Sequence, residues 1–201
     1  IGMDTIVAQG CRPIGEPVKI SKCDGTLLKE MDGQPPLELL QKVYDGLDAN
    51  DKNLVQTSLF LGIEMDPLKD NPQQGDFLIR NIMGVDREVG GMQIGAILRE
   101  GQLVQFHLRD KAMSAEDLEL MLGRYGDEEN SRNARGALIF SCLGRGQYLY
   151  GKPNHDSDMF RDKIGDIPLG GFFCNGEIGP VGNVTFLHGY TSSFGIFRPS
   201  H

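Results

Sequence analysis

The order of elements near the C-terminal end constrains the fold most. "ARGALIFSCLG" is a short continuous apolar run of strand length, "NHDSDMFRDKIG" reads as a short helix capped by Asn154 or Asp156, and "IPLGGFFCNG" is a second apolar run. Two strands separated by a helix predict a parallel pair, because a tight turn joins only antiparallel neighbours. Both runs carry the uninterrupted apolar pattern of strands buried on two faces. The expected class is therefore α+β: a mixed β-sheet with flanking helices and a strand–helix–strand crossover near the C-terminus.

Upstream, strand signals dominate. "MDTIVAQG" reads as a strand, and "PVKISKCDGTLLKEMDG" as a hairpin turning at Asp24-Gly25. "QPPLELLQKVYDGL" reads as a helix, with prolines suited to its first turn and Leu37, Leu40, Val43, Tyr44 and Leu47 at helical spacing. "TSLFLGIEM" is a further strand, and the polar, turn-rich 66–76 a surface loop. "DFLIRNIMGVD" and "GMQIGAILREGQLVQFHLRD" read as three strands, the last two joined as a hairpin at Glu100-Gly101. In the third, Val104, Phe106 and Leu108 alternate with Gln105, His107 and Arg109, the pattern of a half-buried strand with one polar face. "SAEDLELMLGRYG" predicts a helix with Ser114 as N-cap and Leu118, Met121, Leu122 and Tyr125 on one side. "NVTFLHGYTSSFGIFRP" predicts two strands around Gly189.

Composition narrows the function classes. The chain has 201 residues with 39% hydrophobic and 24% charged, enough for a sizeable core. Its net charge of −8 argues against a nucleic-acid partner, since no Lys/Arg cluster forms a basic face. No run approaches the roughly 18 apolar residues of a membrane span. The start at Ile1, inside a strand-like run, leads to the expectation that the chain is the C-terminal part of a longer protein. Four cysteines without a CxxC pair fit reduced thiols better than a disulfide scaffold or a zinc site.

Two glycine-rich turns carry the candidate chemistry. "FSCLGRG" and "GFFCNGEIGP" each follow one of the crossover strands, beyond whose C-terminal ends open α/β sheets place ligands. Neither is a phosphate loop: GxGxxG and GxxxxGK[ST] are absent, and "GEIGPVG" leads into a strand rather than a helix. Three readings remain open. Cys142 could be a nucleophile beside Arg145, with His155 as base, making a hydrolase or transferase; against that, its strand reads as core. Arg145 and Glu177 could together take the carboxylate and ammonium of a zwitterion, or they could pair with each other or cap buried backbone. The expected ligand-binding set is Cys142, Gly144, Arg145, Gly146, Cys174, Asn175, Gly176, Glu177 and Gly179. His188 falls on the apolar side of its strand and reads as a hydrogen-bonded core residue; no paired-histidine or HExxH spacing supplies a metal site.

Taken in order and spacing, "AQGCRPIGEP" at 8–17, "GALIFSCLGRG" at 136–146, "PLGGFFCNGEIGP" at 168–180 and the closing "FLHGYTS" resemble the FIST family of sensory domains. Residues 1–34 look like the end of the family's N-terminal half and 35–201 like its C-terminal half. The motif positions are Cys142, Gly144, Arg145 and Gly146, then Gly171, Phe172, Gly176, Glu177 and Gly179. The resemblance implies a cytoplasmic ligand-sensing module found with histidine kinases, chemoreceptors and cyclic-dinucleotide enzymes in microbes and with F-box segments in eukaryotes. It implies small amino-acid-like ligands, with haem in some members. A ligand signals only through unequal affinity for two conformations, so a partner protein or a homodimer interface is expected. No catalytic set is carried over, and a protein-interaction scaffold is a further alternative.

Overall fold

The computed structural model describes residues 1–69, 72, 75–181 and 184–200. The expected loop at 66–76 lies partly, and His201 wholly, outside the described residues. The chain folds into two compact units: residues 11–109, and a second made of 1–10 with 110–201. The junction at 34/35 falls inside the first of these.

The chain opens with β1 (Gly2–Ala8), which belongs to the second unit. The first unit is a closed six-stranded barrel of β2 (Arg12–Asp24), β3 (Leu27–Met31), β4 (Leu59–Glu64), β5 (Phe77–Asp86), β6 (Gly91–Ile94) and β7 (Leu103–Leu108), in the order β2-β3-β6-β5-β4-β7. Closure is possible because β2 is long: its first part pairs with β7 and its last part, from Ile20 on, pairs with β3. The Asp24-Gly25 hairpin forms as expected, with Gly25 at φ 59°. The expected β6–β7 hairpin does not form. β7 pairs with β2 and β4, and Gly101 donates its N–H to Ile20 O, because the barrel satisfies both of β7's edges elsewhere.

Helix α1 (Pro36–Asp45) matches its predicted spacing, and Leu37, Leu39, Leu40 and Val43 pack on a core of Ile14, Ile20, Met31, Leu61, Met92 and Phe106. The sequence pattern gave no sign of α2 (Ala49–Thr57), capped by the Asp48 side chain accepting from Asp51 N. Val104, Phe106 and Leu108 enter the core as expected, yet Gln105, His107 and Arg109 are also buried. Phe77 packs beside the His107 ring at 5.3 Å, and Gln105 Nε2 donates to Gly15 O, so the outer face of β7 is covered rather than wet.

In the second unit, β8 (Gly136–Cys142), β9 (Leu169–Cys174) and β12 (Ser192–Arg198) join β1 in the order β1-β12-β8-β9. Only β8 and β9 run parallel, joined through α4 (Gln147–Tyr150) and α5 (His155–Ile164), which is the expected crossover. A separate hairpin pairs β10 (Glu177–Val181) with β11 (Val184–His188). Thus β11 and β12 flank Gly189 as predicted, but they do not pair with each other. Helix α3 (Lys111–Asp127) starts earlier than expected. Asp110 is its N-cap, accepting from Met113 N, while Ser114 is buried in the first turn and donates to Gly10 O. Leu118, Leu122 and Tyr125 of α3 and Phe160 of α5 cover one sheet face, with Phe160 stacked on Phe194 at 5.4 Å.

The burial expected on both faces of the crossover strands is not found. Leu138 is 40% exposed, and Phe172 and Phe173 are 64% and 54% exposed. β9 is the terminal strand of its sheet, so apolar residues that resemble a core strand lie on a rim.

Candidate functional site

Asp156, in the first turn of α5, organises the polar centre of the second unit. Its Oδ2 accepts from Arg145 Nε at 2.9 Å and from Ser141 Oγ at 3.1 Å, and it also accepts from Ser192 Oγ. Its Oδ1 receives His155 Nδ1 at 3.0 Å and lies 3.4 Å from Arg145 Nη2. Four elements therefore converge: the ends of β8 and β12, the turn after β8, and the start of α5. Burial opposes the charge on Asp156, but the two-point contact with the Arg145 guanidinium and the hydroxyl and imidazole donors outweigh it, holding the carboxyl at about 2.

Arg145 is 1% exposed. Beyond Asp156, its guanidinium reaches Tyr190 O at 3.4 Å and Ser114 O at 3.5 Å, and sits 5.6 Å from the Tyr150 ring centre. Tyr150 in turn stacks on His155 with ring centres 3.5 Å apart. The glycine after it is structurally required: Gly146 has φ 67°, and a Cβ there would stand 2.8 Å from Phe173 Cζ.

The Arg145–Glu177 pair considered from sequence does not form. Glu177 is equally buried, but its Oε2 accepts from Thr191 N at 3.2 Å and Thr191 Oγ1 at 2.9 Å, which makes it a cap on the segment just before β12. Both charges are thus held by the protein itself, each with its own partner. The two turns nevertheless meet, with Leu143 N donating to Cys174 O and Cys142 in register with Cys174.

The remaining expected site residues divide by location. Cys142 is buried at the end of β8, with its N–H on Thr191 O, and His155 gives its Nδ1 to Asp156 rather than to this thiol. Gly144 lies in the turn between Cys142 and Arg145. Cys174 ends β9, where burial and the neighbouring Glu177 carboxylate push its thiol up, the opposite of an activated nucleophile. Asn175 is exposed in the following turn. Gly176 and Gly179 permit close packing: a Cβ on Gly179 would meet Val7 Cγ2 at 2.5 Å. His188 is buried with Nε2 on Gly179 O at 2.9 Å, the hydrogen-bonded core role its pattern predicted.

A pocket of about 330 Å³ opens beside this centre, with Ile139, Gly146, Pro153, His155, Phe172 and Phe173 among its walls. Of the nine expected residues only Gly146 lines it, and Arg145 stands behind it through Asp156. Sequence reasoning missed Asp156, Ser141 and Ser192 as site residues. An acidic residue in a first helical turn looks like an ordinary partner of the helix dipole, and the two serines lie in strands that meet only in the fold.

These elements describe an α+β protein in which a barrel is inserted between the first strand of a mixed sheet and the rest of it. The chain belongs to the FIST family: the FIST C domain matches residues 36–180, and the FIST N domain matches 1–34. FIST domains are in general sensory or signal-transduction domains. An uncharacterised protein of Mycobacterium tuberculosis is 42% identical over 193 residues, covering 96% of this chain and 50% of that protein. An uncharacterised protein of Mycobacterium bovis is 41% identical over 192 residues, with the same coverage of 96% and 50%. An F-box/LRR-repeat protein of Arabidopsis thaliana is 30% identical over 115 residues, covering 50% of this chain and 22% of its own length. The chain thus spans about half the length of the mycobacterial relatives it matches. Among the described residues no helix is long and apolar enough to cross a membrane.

Proposed function

We propose that this chain is a cytoplasmic sensory module that binds a small organic ligand in the pocket between the start of α5 and β9, and passes the signal to a partner protein. The observation that carries this reading is the pocket's construction. Mostly apolar walls from Ile139, Phe172 and Phe173 surround a few convergent polar groups of His155 and Asp156, the usual composition of a small-molecule site. Membership of a sensory family supports it. The polar end is preorganised, because Asp156 is fixed from four sides before any ligand arrives. Ligand contact with both the first turn of α5 and the terminal strand β9 would bias their relative placement, and a signal requires such unequal affinity for two arrangements.

The relocation from the turns at 142–147 and 174–179 matters for the ligand's chemistry. Arg145 and Glu177 are satisfied internally, so the ligand is read by His155 and the apolar walls rather than by a pair of opposite charges.

A thermal-shift screen of amino acids and small metabolites tests the proposal. A true ligand at about 100 times its Kd should stabilise the chain by about 2.7 kcal/mol. Phe173→Glu, which places a carboxylate on an exposed wall, should abolish the shift while leaving the unliganded melting temperature within a few degrees. A shift that survives in this variant would move the site away from the pocket, and a screen without any stabilising compound would sink the sensory reading.

A further inference from the structure

We propose that His155 Nε2 is the hydrogen-bond acceptor that selects the ligand, and that the ligand is a small molecule with an apolar body and one hydroxyl or ammonium donor. This rests on the pocket being the ligand site.

The imidazole is 8% exposed and its orientation is fixed twice, by the stack on Tyr150 and by the 3.0 Å contact of Nδ1 with Asp156 Oδ1. Asp156 is a carboxylate locked by Arg145, so it accepts and the Nδ1 side donates. In the neutral ring that leaves the lone pair on Nε2, which makes no hydrogen bond to any described residue. An acceptor held in one tautomer on a ring that lines the pocket is placed to read a donor. The local charge balance agrees. The Arg145 and Asp156 charges cancel, and no lysine or arginine is among the described residues that line the pocket. The same ring also borders a polar cleft with Lys152 and Lys163, but that cleft lacks the aromatic walls that take an apolar body.

The probes are p-cresol, which pairs an apolar ring with one hydroxyl, 4-methylanisole, which has the same body without the donor, and p-toluate, which replaces the donor by an anion. Binding is read by ligand-detected NMR, with the protein's histidine nitrogens followed in ¹⁵N spectra. The expected result is an Nδ1–H tautomer for His155, contacts from the p-cresol methyl to the ring of Phe173, and affinity for p-cresol about ten-fold above that for 4-methylanisole. His155→Phe keeps a ring on Tyr150 and removes the acceptor, so it should erase the ten-fold difference without losing 4-methylanisole. An Nε2–H tautomer, equal binding of the first two probes in the native chain, or preference for p-toluate would overturn the assignment while leaving the pocket as the site. Absence of all three probes from the pocket would overturn both.

Discussion

Replacing Arg145 by Ala should be among the most damaging single changes in the second unit, and its cost should depend on pH in a specific way. The structure supplies the magnitude. Asp156 is displaced from its ordinary 3.8 down to about 2 despite burial, a difference worth about 2 kcal/mol of folding free energy at neutral pH. Because the folded-state value is depressed, that contribution is fully present above pH 3.8 and is lost as pH falls toward 2. Removing the guanidinium does more than cancel this term. It leaves a buried carboxylate held only by two hydroxyls and an imidazole, for which a total loss of about 3–5 kcal/mol is expected. The sign of the titration also reverses. Burial without the cation raises Asp156 above its ordinary value, so the variant is most handicapped at pH 7 and recovers relative to the native chain as the carboxyl protonates. Urea unfolding followed by far-UV circular dichroism suits the test, since the chain contains no Trp. The gap between native and Arg145→Ala should be widest at pH 7 and narrow towards pH 3. Adding Asp156→Leu should restore part of the stability, because an apolar pair replaces an orphaned charge. A gap below about 1 kcal/mol at pH 7, or one that does not change with pH, would refute the reasoning.

In the barrel, burial drives His107 from 6.5 down to about 4, against the opposing contact with the Gln105 carbonyl. The neutral ring is the folded form, so stability is complete above pH 6.5 and falls by about 3 kcal/mol as pH drops to 4; an NMR titration should show this ring still neutral at pH 5, and a midpoint near 6.5 would contradict its burial. Gly171→Ala places a Cβ only 1.8 Å from Ile139 O across the parallel pair, so β9 must shift. A loss of about 3 kcal/mol is expected, with hydrogen-exchange protection falling first in 169–174; unchanged protection there would mean that β9 is not held as described.

Local pattern was enough wherever one element decides its own state. The apolar period of α1, the Asp24-Gly25 turn and the strand–helix–strand order from 136 to 174 each express a constraint that neighbours in sequence impose, and each element appears in the structure. Pairing was not legible in the same way. β7 follows β6, yet it bonds β2 and β4, because barrel closure rather than proximity in the chain chooses its partners. The same holds for exposure: "LGGFFC" has the composition of a core strand but ends its sheet, and strand order is set by contacts remote in sequence.

For the site, the sequence by itself determined the motif glycines, the burial-prone Cys142 and the presence of charges at 145 and 177. Only the tertiary structure decided what those charges do. Arg145 is bound to Asp156 and Glu177 to Thr191, partners only 11 and 14 residues apart that the packing of the turn after β8 on α5, and of β10 on the segment before β12, brings together. A buried charge takes whichever counter-group the packing delivers, since leaving it unpaired costs several kcal/mol. That choice closes the pair expected across the two turns, and it leaves His155, fixed by Asp156 and Tyr150, as the polar group at the pocket wall.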